Sequence, residues 1–355
     1  MENKLHVLIG DAKEALKDIP DNSVNCIVTS PPYYALRSYL ESDSPLKSME
    51  IGQEKTPEEY IEKLSVVMEQ CRRVLKEDGI CFVNIQDSYN VRNKTEADQS
   101  FENAKLNRQT TVLKHYQYKG AKLKDLIGIP WMLAFKMREK GWWWRDTIIW
   151  AKAVSGTHIF GTCMPESVKD RTNKSHEYIL MFTKSAKYSY DWESIGEKVA
   201  EISKKRAFSG SNAEKRKNNG VYDYSINKKE QARHYEKRRA EIEENPDRDF
   251  IRIRRSVWTM KASKSKVSHF AVYPPELAKT CILCGCPADG TVLDPFGGSG
   301  TTGIVANLLG RNAIICDLNP NMQEHLELRK HEIAKSFEND YNISTDKSKN
   351  VKSFW

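Results

Sequence analysis

The sequence predicts an α/β fold in which helices cover a mostly parallel, twisted sheet and a basic region is inserted into the domain. Short apolar runs alternate with segments of helical spacing over most of the 355 residues, as in parallel strands joined by helices. The segment "VLDPFGGSGTTG" is a strand, a glycine turn and a helix start in succession. A chain of this length can bury the core of one large domain with an insertion.

The N-terminal third predicts three strands and two helices. "LHVLIGDA" is a strand that ends in a Gly-Asp turn, with a helix from about Lys13, and "SVNCIVTS" is a second strand. "TPEEYIEKLSVVMEQCRRVLKEDG" is a helix that begins at Thr56-Pro57, and we expect Gly79 to end it. "ICFVNI" is a buried strand. The polar stretch 88–122 has little periodicity, which predicts a mobile loop.

The rest of the chain repeats the pattern outside the basic region. "IPWMLAFKMREKGWWWRDTIIWAK" predicts a helix and a strand, with two of the three tryptophans 142–144 buried or lining a cleft and one exposed. "HEYILMFTKSAKYSYD" predicts a hairpin-like pair of strands, and we interpret its His176-Glu177 as structural or pocket-lining. A helix from Pro275, a strand in "NAIICDLNP" and a frayed tail after about 337 complete the chain.

The positive charge is concentrated in one segment. The net charge is +8, and residues 197–261 contain 18 Lys/Arg and 11 Asp/Glu, a net charge of +7. This charge fits a soluble protein with an anionic partner, and nucleic acid is the first candidate. No apolar stretch reaches the length of a membrane span and the N-terminus is not a signal peptide, so we expect a cytoplasmic protein without a membrane partner. The candidate phosphate ligands are Lys215, Arg216, Lys217, Arg252, Arg254 and Arg255.

Eight scattered cysteines do not form a disulfide framework, so we expect them reduced. "CILCGC" places Cys281, Cys284 and Cys286 together as half a zinc site would, with His269 as the nearest further ligand. No partner pair lies at zinc-knuckle spacing. We therefore predict no metal, and thiols packed at a helix end.

The glycine turn predicts a nucleoside-containing ligand. Gly298, Gly300 and Gly303 have the spacing G-x-G-x-x-G between a strand and a helix, and Asp317 ends the next strand, where a carboxylate can accept both hydrogen bonds of a ribose diol. The turn has no lysine, which disfavours a phosphate-binding loop. On this motif alone, a nicotinamide, a flavin or S-adenosylmethionine would fit.

The corner "TSPPYY", residues 29–34, decides between these ligands. Neither Pro31 nor Pro32 has a backbone N–H, so the strand ends in a stiff corner that offers acceptors. Together with "DPFGGSGTT", "GDA" and "HFAVYP", the segment resembles the S-adenosylmethionine-dependent DNA methyltransferases that act on exocyclic amines. Their Asp/Asn/Ser-Pro-Pro-Tyr/Phe/Trp tetrapeptide is Ser30 to Tyr33 here. The motif order resembles the beta group of that family, over most of the chain outside 88–122 and 196–255.

The resemblance implies a Rossmann-like S-adenosylmethionine-dependent methyltransferase fold with circularly permuted motif order. It implies that Ser30, Pro31, Pro32 and Tyr33 are catalytic: the Ser30 hydroxyl and the Pro31 carbonyl accept from the target amine, and Tyr33 stacks on the base. Because duplex DNA hides its amines in the stack, the target nucleotide would be extruded.

The resemblance also implies the cofactor site, for S-adenosyl-L-methionine. Asp11 would lie near the adenine ring, Asp317 on the ribose hydroxyls, although relatives often have glutamate there, and 269–274 at the methionine end. The implied cofactor residues are Asp11, Ala12, Thr29, His269, Tyr273, Pro274, Asp294, Pro295, Phe296, Gly297, Gly298, Ser299, Gly300, Thr301, Thr302, Asp317, Leu318 and Asn319.

The corresponding domain organisation is a catalytic part (1–195), a basic target recognition region (196–255), a cofactor-binding part of the same domain (256–336) and a tail (337–355). The implied partners are double-stranded DNA, a second copy in a homodimer and a cognate restriction endonuclease. The implied setting is the nucleoid of a bacterial, archaeal or phage-infected cell.

The first residue of the tetrapeptide, Ser30, indicates the target atom. Cytosine-N4 enzymes of this family mostly have Ser there and adenine-N6 enzymes mostly Asp, so Ser30 predicts N4-cytosine methylation, with N6-adenine as the alternative. A nicotinamide-dependent oxidoreductase would leave "TSPPYY" and the basic region unexplained, and the two intact motifs argue against a non-catalytic DNA-binding protein. A C5-cytosine methyltransferase is excluded because the chain has no Pro-Cys nucleophile motif.

Overall fold

The computed structural model describes residues 4–36, 38–40, 43–90, 118–156, 159–163, 165–198, 251–263 and 273–344. Its helices are α1 (Ala12–Ala15), α2 (Pro57–Val74), α3 (Ile129–Glu139), α4 (Pro275–Gly285), α5 (Thr301–Leu308) and α6 (Met322–Ser344). Its strands are β1 (Leu5–Ile9), β2 (Val24–Thr29), β3 (Leu75–Ile85), β4 (Trp143–Ala151), β5 (Ala153–Val154), β6 (Phe160–Gly161), β7 (His176–Thr183), β8 (Glu197–Lys198), β9 (Ile251–Arg252), β10 (Val257–Thr259), β11 (Thr291–Asp294) and β12 (Asn312–Asp317).

The chain divides into two units, residues 1–191 with 255–355 and residues 192–254. Eight strands of the first unit form one sheet in the order β1-β12-β11-β2-β3-β7-β4-β10. β7 runs antiparallel to both of its neighbours, and every other neighbouring pair is parallel. The predicted α/β fold with a mostly parallel sheet is therefore confirmed.

Strand β1, from the start of the chain, lies next to β12 and β11, from its last part. β11 and β12 lie between β1 and β2, and the chain order reverses where β11 meets β2, which is where ligands bind in sheets of this type. The carboxyl ends of six parallel strands lie along one edge of the sheet, its carboxyl edge. These strands are β1, β2, β3, β4, β11 and β12. Because β7 is antiparallel, its first residues, His176 and Glu177, lie at the same edge.

Helices α2 and α3 cover one face of the sheet, over a buried core that includes Leu64, Leu133 and Phe182. Thr56 begins α2 by accepting a hydrogen bond from the Glu59 amide, and Pro57 follows at the first helical position, as predicted. The tryptophan prediction is also confirmed, since Trp142 is buried, Trp144 is half-buried and Trp143 is exposed.

Two predicted elements differ from the structure because sheet pairing overrides the local pattern. α2 ends at Val74 rather than at Gly79, because Leu75 already pairs with Val24 and the chain continues as β3. The predicted hairpin is the single strand β7. The residues after it instead form hydrogen bonds to the first residues of β3. The Ser185 hydroxyl donates to the Glu77 carbonyl, and the Ser189 amide donates to the Asp78 carbonyl.

Two other predictions concern segment boundaries. The tail does not begin at 337, since α6 continues to Ser344. Of the predicted loop 88–122, residues 91–117 lie outside the described residues. Asn90 links the two described ends of this segment, because its side-chain amide donates to the Tyr118 and Ala121 carbonyls at 2.8 Å each.

The three cysteines of "CILCGC" lie at the end of α4, and all three are buried. Burial raises the pKa of the Cys286 thiol to about 12. Within the described part of the chain, no three His, Cys, Asp or Glu side chains are placed to hold a metal ion. His269 lies outside that part.

In the second unit, β8 and β9 form an antiparallel pair in which the Arg252 guanidinium lies 2.9 Å from the Glu197 carboxylate. Arg252, predicted to bind phosphate, therefore already has an acidic partner. The predicted ligands 215–217 lie outside the described residues. None of the helices described here is long and apolar enough to cross a membrane.

Candidate active site

A cleft of about 960 Å³ opens at the carboxyl edge of the sheet. The glycine turn after β11 forms one wall, the Gly10-Asp11 turn after β1 a second, and the proline corner after β2 a third. The predicted site residues that line it are Asp11, Ala12, Ser30, Pro32, Tyr273, Pro295, Phe296, Gly297, Gly298, Ser299, Thr301, Asp317, Leu318 and Asn319.

Glycine is required in the turn for two different reasons. Gly298 and Gly300 have φ of 53° and 76°, a left-handed conformation that other residues rarely adopt. A Cβ at Gly303 would lie 2.7 Å from Leu5 Cδ1, so this glycine lets α5 pack against β1. The turn thus allows close ligand approach at Gly298 and close helix packing at Gly303.

Asp317, at the end of β12, is held against the glycine turn. One oxygen of its carboxylate accepts from the Gly298 amide at 2.7 Å and the other from the Asn319 amide at 2.8 Å. Burial raises the pKa of Asp317 to about 6, although these two bonds oppose the shift. Each oxygen has a second acceptor site, so the carboxylate can also accept from a ligand in the cleft.

Asp294, another acid predicted in the cofactor site, does not line the cleft. It is 1% exposed at the junction of β11 and β2. Its oxygens accept from the hydroxyls of Thr29 (2.6 Å), Thr302 (2.7 Å) and Tyr273 (3.3 Å) and from the Phe296 amide (3.1 Å). Four protein donors occupy this carboxylate, so it joins the glycine turn to the proline corner.

Four other predicted cofactor residues also lie behind the wall of the cleft. Thr29 and Thr302 are buried and use their hydroxyls within the fold, and Pro274 and Gly300 precede α4 and α5. His269 lies outside the described residues. The family resemblance implied these residues from their places in the motifs, and a place in a motif does not determine which side chains face the cleft.

Sequence reasoning missed a fourth wall of the cleft. It comes from the segment after the proline corner, which has no periodic pattern and folds back so that the Ala35 amide donates to the Gly52 carbonyl at 2.8 Å. No motif marks these residues. They are Tyr39, Leu40, Met49, Glu50 and Ile51.

The proline corner is fixed by contacts to three elements. The Tyr60 hydroxyl of α2 donates to the Pro32 carbonyl at 2.7 Å, and Pro31 is buried. The Tyr33 hydroxyl donates to the carboxylate of Glu177 on β7 at 2.5 Å and accepts from the side-chain amide of Asn84 on β3 at 2.9 Å. Sequence reasoning missed Asn84, which only the pairing of β3 with β7 brings to this site.

Tyr33 keeps its proton at neutral pH. Burial first, and then the adjoining Glu177 carboxylate, raises the pKa of the Tyr33 phenol well above its ordinary value. The phenol is therefore a neutral hydrogen-bonding group.

A second cleft, of about 790 Å³, adjoins Tyr33. Basic and aromatic side chains meet in and beside it: Lys174 lies 5.1 Å and Arg171 4.0 Å from the centre of the Tyr89 ring. Burial lowers the pKa of Lys174, whose ammonium donates to the Asp87 carbonyl at 2.6 Å. The corner thus separates two clefts. The second is lined by Tyr33, Tyr34, Ala35, Leu36, Gln86, Asp87, Ser88, Tyr89, Asn90, Ile127, Glu166 and Lys174.

Comparison with known proteins identifies this arrangement. The chain matches the N6/N4 DNA methylase family over residues 24–328. It is 35% identical over 332 residues to the type II methyltransferase M.SmaI of Serratia marcescens, covering 93% of this chain and 90% of that protein. It is 34% identical over 311 residues to M.Cfr9I of Citrobacter freundii, covering 88% and 82%.

A solved structure shows the same fold. The PvuII DNA methyltransferase, described as cytosine-N4-specific, superposes with a TM-score of 0.56 at 16% identity, over 96% of this chain and 94% of that one. The family match spans both motifs of the cleft, the proline corner and the glycine turn. The chain therefore belongs to the N6/N4 family of S-adenosylmethionine-dependent DNA methyltransferases.

Proposed function

We propose that this protein transfers a methyl group from S-adenosylmethionine to the N4 amine of a cytosine extruded from double-stranded DNA. The observation that carries the proposal is the position of the Ser30 to Tyr33 corner between two clefts. Ser30 and Pro32 line the first cleft, and Tyr33 lines the second. A methyl donor in the first cleft and a base in the second would meet at this corner.

The first cleft fits the methyl donor. Asp317 offers carboxylate oxygens to a ribose diol, and Gly298 carries no side chain to block the approach. Apolar groups of Phe296, Leu318 and Ile51 offer surfaces for an adenine ring. When bound, S-adenosylmethionine supplies the electrophilic sulfonium methyl group.

The corner residues supply acceptors for the amine. The lone pair of a cytosine amine is delocalised into the ring, so the enzyme must hold the two N–H groups and direct the lone pair at the methyl group. The Ser30 hydroxyl and the Pro31 carbonyl are acceptors at a corner where the prolines have no competing N–H. Tyr33 offers a ring for stacking of the base, worth about 1–3 kcal/mol.

Ser30 favours cytosine as the target. Adenine-N6 enzymes of the family mostly have a carboxylate at this position, whereas here it is a neutral hydroxyl. The cytosine amine is somewhat more polarised by its ring, so a hydroxyl and a carbonyl suffice. N6-adenine methylation is the alternative.

The basic region 196–255 would contact the phosphates of the DNA, since most of the excess positive charge lies there. A homodimer and a cognate restriction endonuclease stay predictions.

Nucleoside mass spectrometry tests the target atom. DNA with all four bases is treated with the enzyme and cofactor, digested and analysed, and we expect N4-methylcytosine. The Tyr33→Ala variant, treated identically, controls for methylation that the DNA carries from its host. N6-methyladenine as the only new product would refute the assignment to cytosine.

The affinity for S-adenosylmethionine should depend on the ionisation of Asp317. Ribose hydroxyls donate to the ionised carboxylate, so binding is strong above the Asp317 pKa of about 6 and weakens as the pH falls through it. One unit below that pKa about a tenth of the carboxylate is ionised, so the affinity should fall about tenfold.

Calorimetry above and below this pKa measures the effect. The Asp317→Asn variant cannot ionise at this position, and its weaker affinity should be nearly independent of pH. A pH dependence that persists in Asp317→Asn would show that another group is responsible.

A further inference from the structure

A buried ion pair lies behind the proline corner. Glu177 is 5% exposed, and one of its oxygens pairs with the Lys152 ammonium at the end of β4. Its other oxygen accepts from the Tyr33 hydroxyl at 2.5 Å and from the Asn84 side-chain amide at 2.8 Å. Its partners Lys152, Tyr33 and Asn84 are all donors.

This carboxylate determines the direction of the hydrogen bonds around it. A carboxylate paired with an ammonium group only accepts, so the single hydrogen of the Tyr33 hydroxyl points to Glu177. The Tyr33 oxygen is then an acceptor. It accepts from Asn84 at 2.9 Å and from Ser30, whose Oγ lies 3.4 Å away. The Ser30 hydrogen is thereby directed at Tyr33. Ser30 Oγ has a long contact of 3.5 Å from the Asn84 side-chain N–H, and its second lone pair is left for another donor.

We propose that Glu177 is a positioning residue that fixes this direction, so that Ser30 presents lone pairs and not its hydrogen to the target amine. The inference rests on the proposed function, in which the amine donates to Ser30. A Ser30 hydroxyl turned the other way would donate to the lone pair of the amine, which is the electron pair that must attack the methyl group. Glu177 acts on the reaction through Tyr33 and Ser30 and touches no substrate.

Glutamine at this position should reverse the hydrogen bonds without changing the packing. Lys152 only donates, so it holds the amide oxygen of glutamine and turns the amide N–H groups toward Tyr33 and Asn84. The Asn84 amide then turns over, so that its oxygen, which has no hydrogen-bond partner in the wild type, accepts from the glutamine. Tyr33 must then accept, and its hydrogen is free to point at Ser30. Ser30 in turn directs its own hydrogen at the amine. The glutamine side chain therefore has nearly the same shape as glutamate, but the hydrogen bonds from residue 177 through Tyr33 to Ser30 run in the opposite direction.

The test is a double-mutant cycle on the rate of methyl transfer in a single turnover. Glu177→Gln reverses the relay, and Tyr33→Phe keeps the ring but removes the hydroxyl that connects Glu177 to Ser30. We expect each variant to lower the rate about 10- to 100-fold, while the Kd values for S-adenosylmethionine and DNA change by less than about twofold. The double variant should be no slower than either single variant, because both break the same relay.

The matched control is Glu69→Gln. Glu69, on α2, lies 2.7 Å from the ammonium of Lys140 at the end of α3 and lines neither cleft, so the rate should be unchanged. A wild-type rate in either Glu177→Gln or Tyr33→Phe would overturn the proposal. So would losses that multiply in the double variant, since they would show that the two residues act separately. If Glu177→Gln does not fold, Tyr33→Phe alone decides.

These outcomes are separate from the test of the proposed function. The cycle compares rates on whichever base the wild-type enzyme methylates. N6-methyladenine as the product would refute the cytosine assignment. The double-mutant cycle would still be interpreted in the same way.

Discussion

Replacing Tyr33 by alanine is expected to lower kcat/KM for methyl transfer by about two orders of magnitude. The substitution removes the ring proposed to stack on the base. It also removes the hydroxyl between Glu177 and Asn84, and leaves that buried carboxylate with one donor fewer. Steady-state assays of tritiated methyl incorporation into DNA measure the loss.

Tyr188→Ala is the matched control. The Tyr188 ring packs against Arg145 and lines neither cleft, so its removal should leave kcat/KM near the wild-type value. Ser30→Ala should lose less than Tyr33→Ala, because the Pro31 carbonyl survives as an acceptor. A Tyr33→Ala enzyme as active as the Tyr188→Ala enzyme would contradict the proposed role of the corner.

Replacing Asp317 by alanine is expected to weaken S-adenosylmethionine binding about 10- to 100-fold. A charge-assisted hydrogen-bonding contact of this kind is worth about 1.5–3 kcal/mol. Calorimetry gives the Kd, and a thermal melt without cofactor shows whether the fold is intact. That melt is needed because Asp317 also accepts from the Gly298 and Asn319 amides.

Asp317→Asn separates the contribution of the negative charge from that of the acceptor oxygen. The amide keeps the volume and one acceptor oxygen but not the charge, so its Kd should lie between those of the wild type and the alanine variant. Glu327→Ala, an exposed change on α6, is the control. Wild-type affinity in Asp317→Ala would remove this residue from the cofactor site.

Local patterns in the sequence were sufficient to predict most elements. The glycine turn and the proline corner were recognised because each depends on residue types with special backbone properties. Glycine adopts positive φ at Gly298 and Gly300, and proline lacks the N–H at Pro31 and Pro32. The hairpin prediction at 176–191 was wrong, since the partners of β7 are β3 and β4, which are distant in sequence.

By itself, the sequence determined the fold class, the family resemblance and the two motifs, because these depend on residue type and spacing along the chain. Only the tertiary structure distinguished the acids that follow strands. Asp294 is enclosed by donors from β2 and α5, whereas Asp317 faces the cleft. Only the antiparallel course of β7 brings Glu177 to Tyr33. Which neighbours surround a side chain depends on the pairing of strands far apart in sequence, and local pattern carries no information about that pairing.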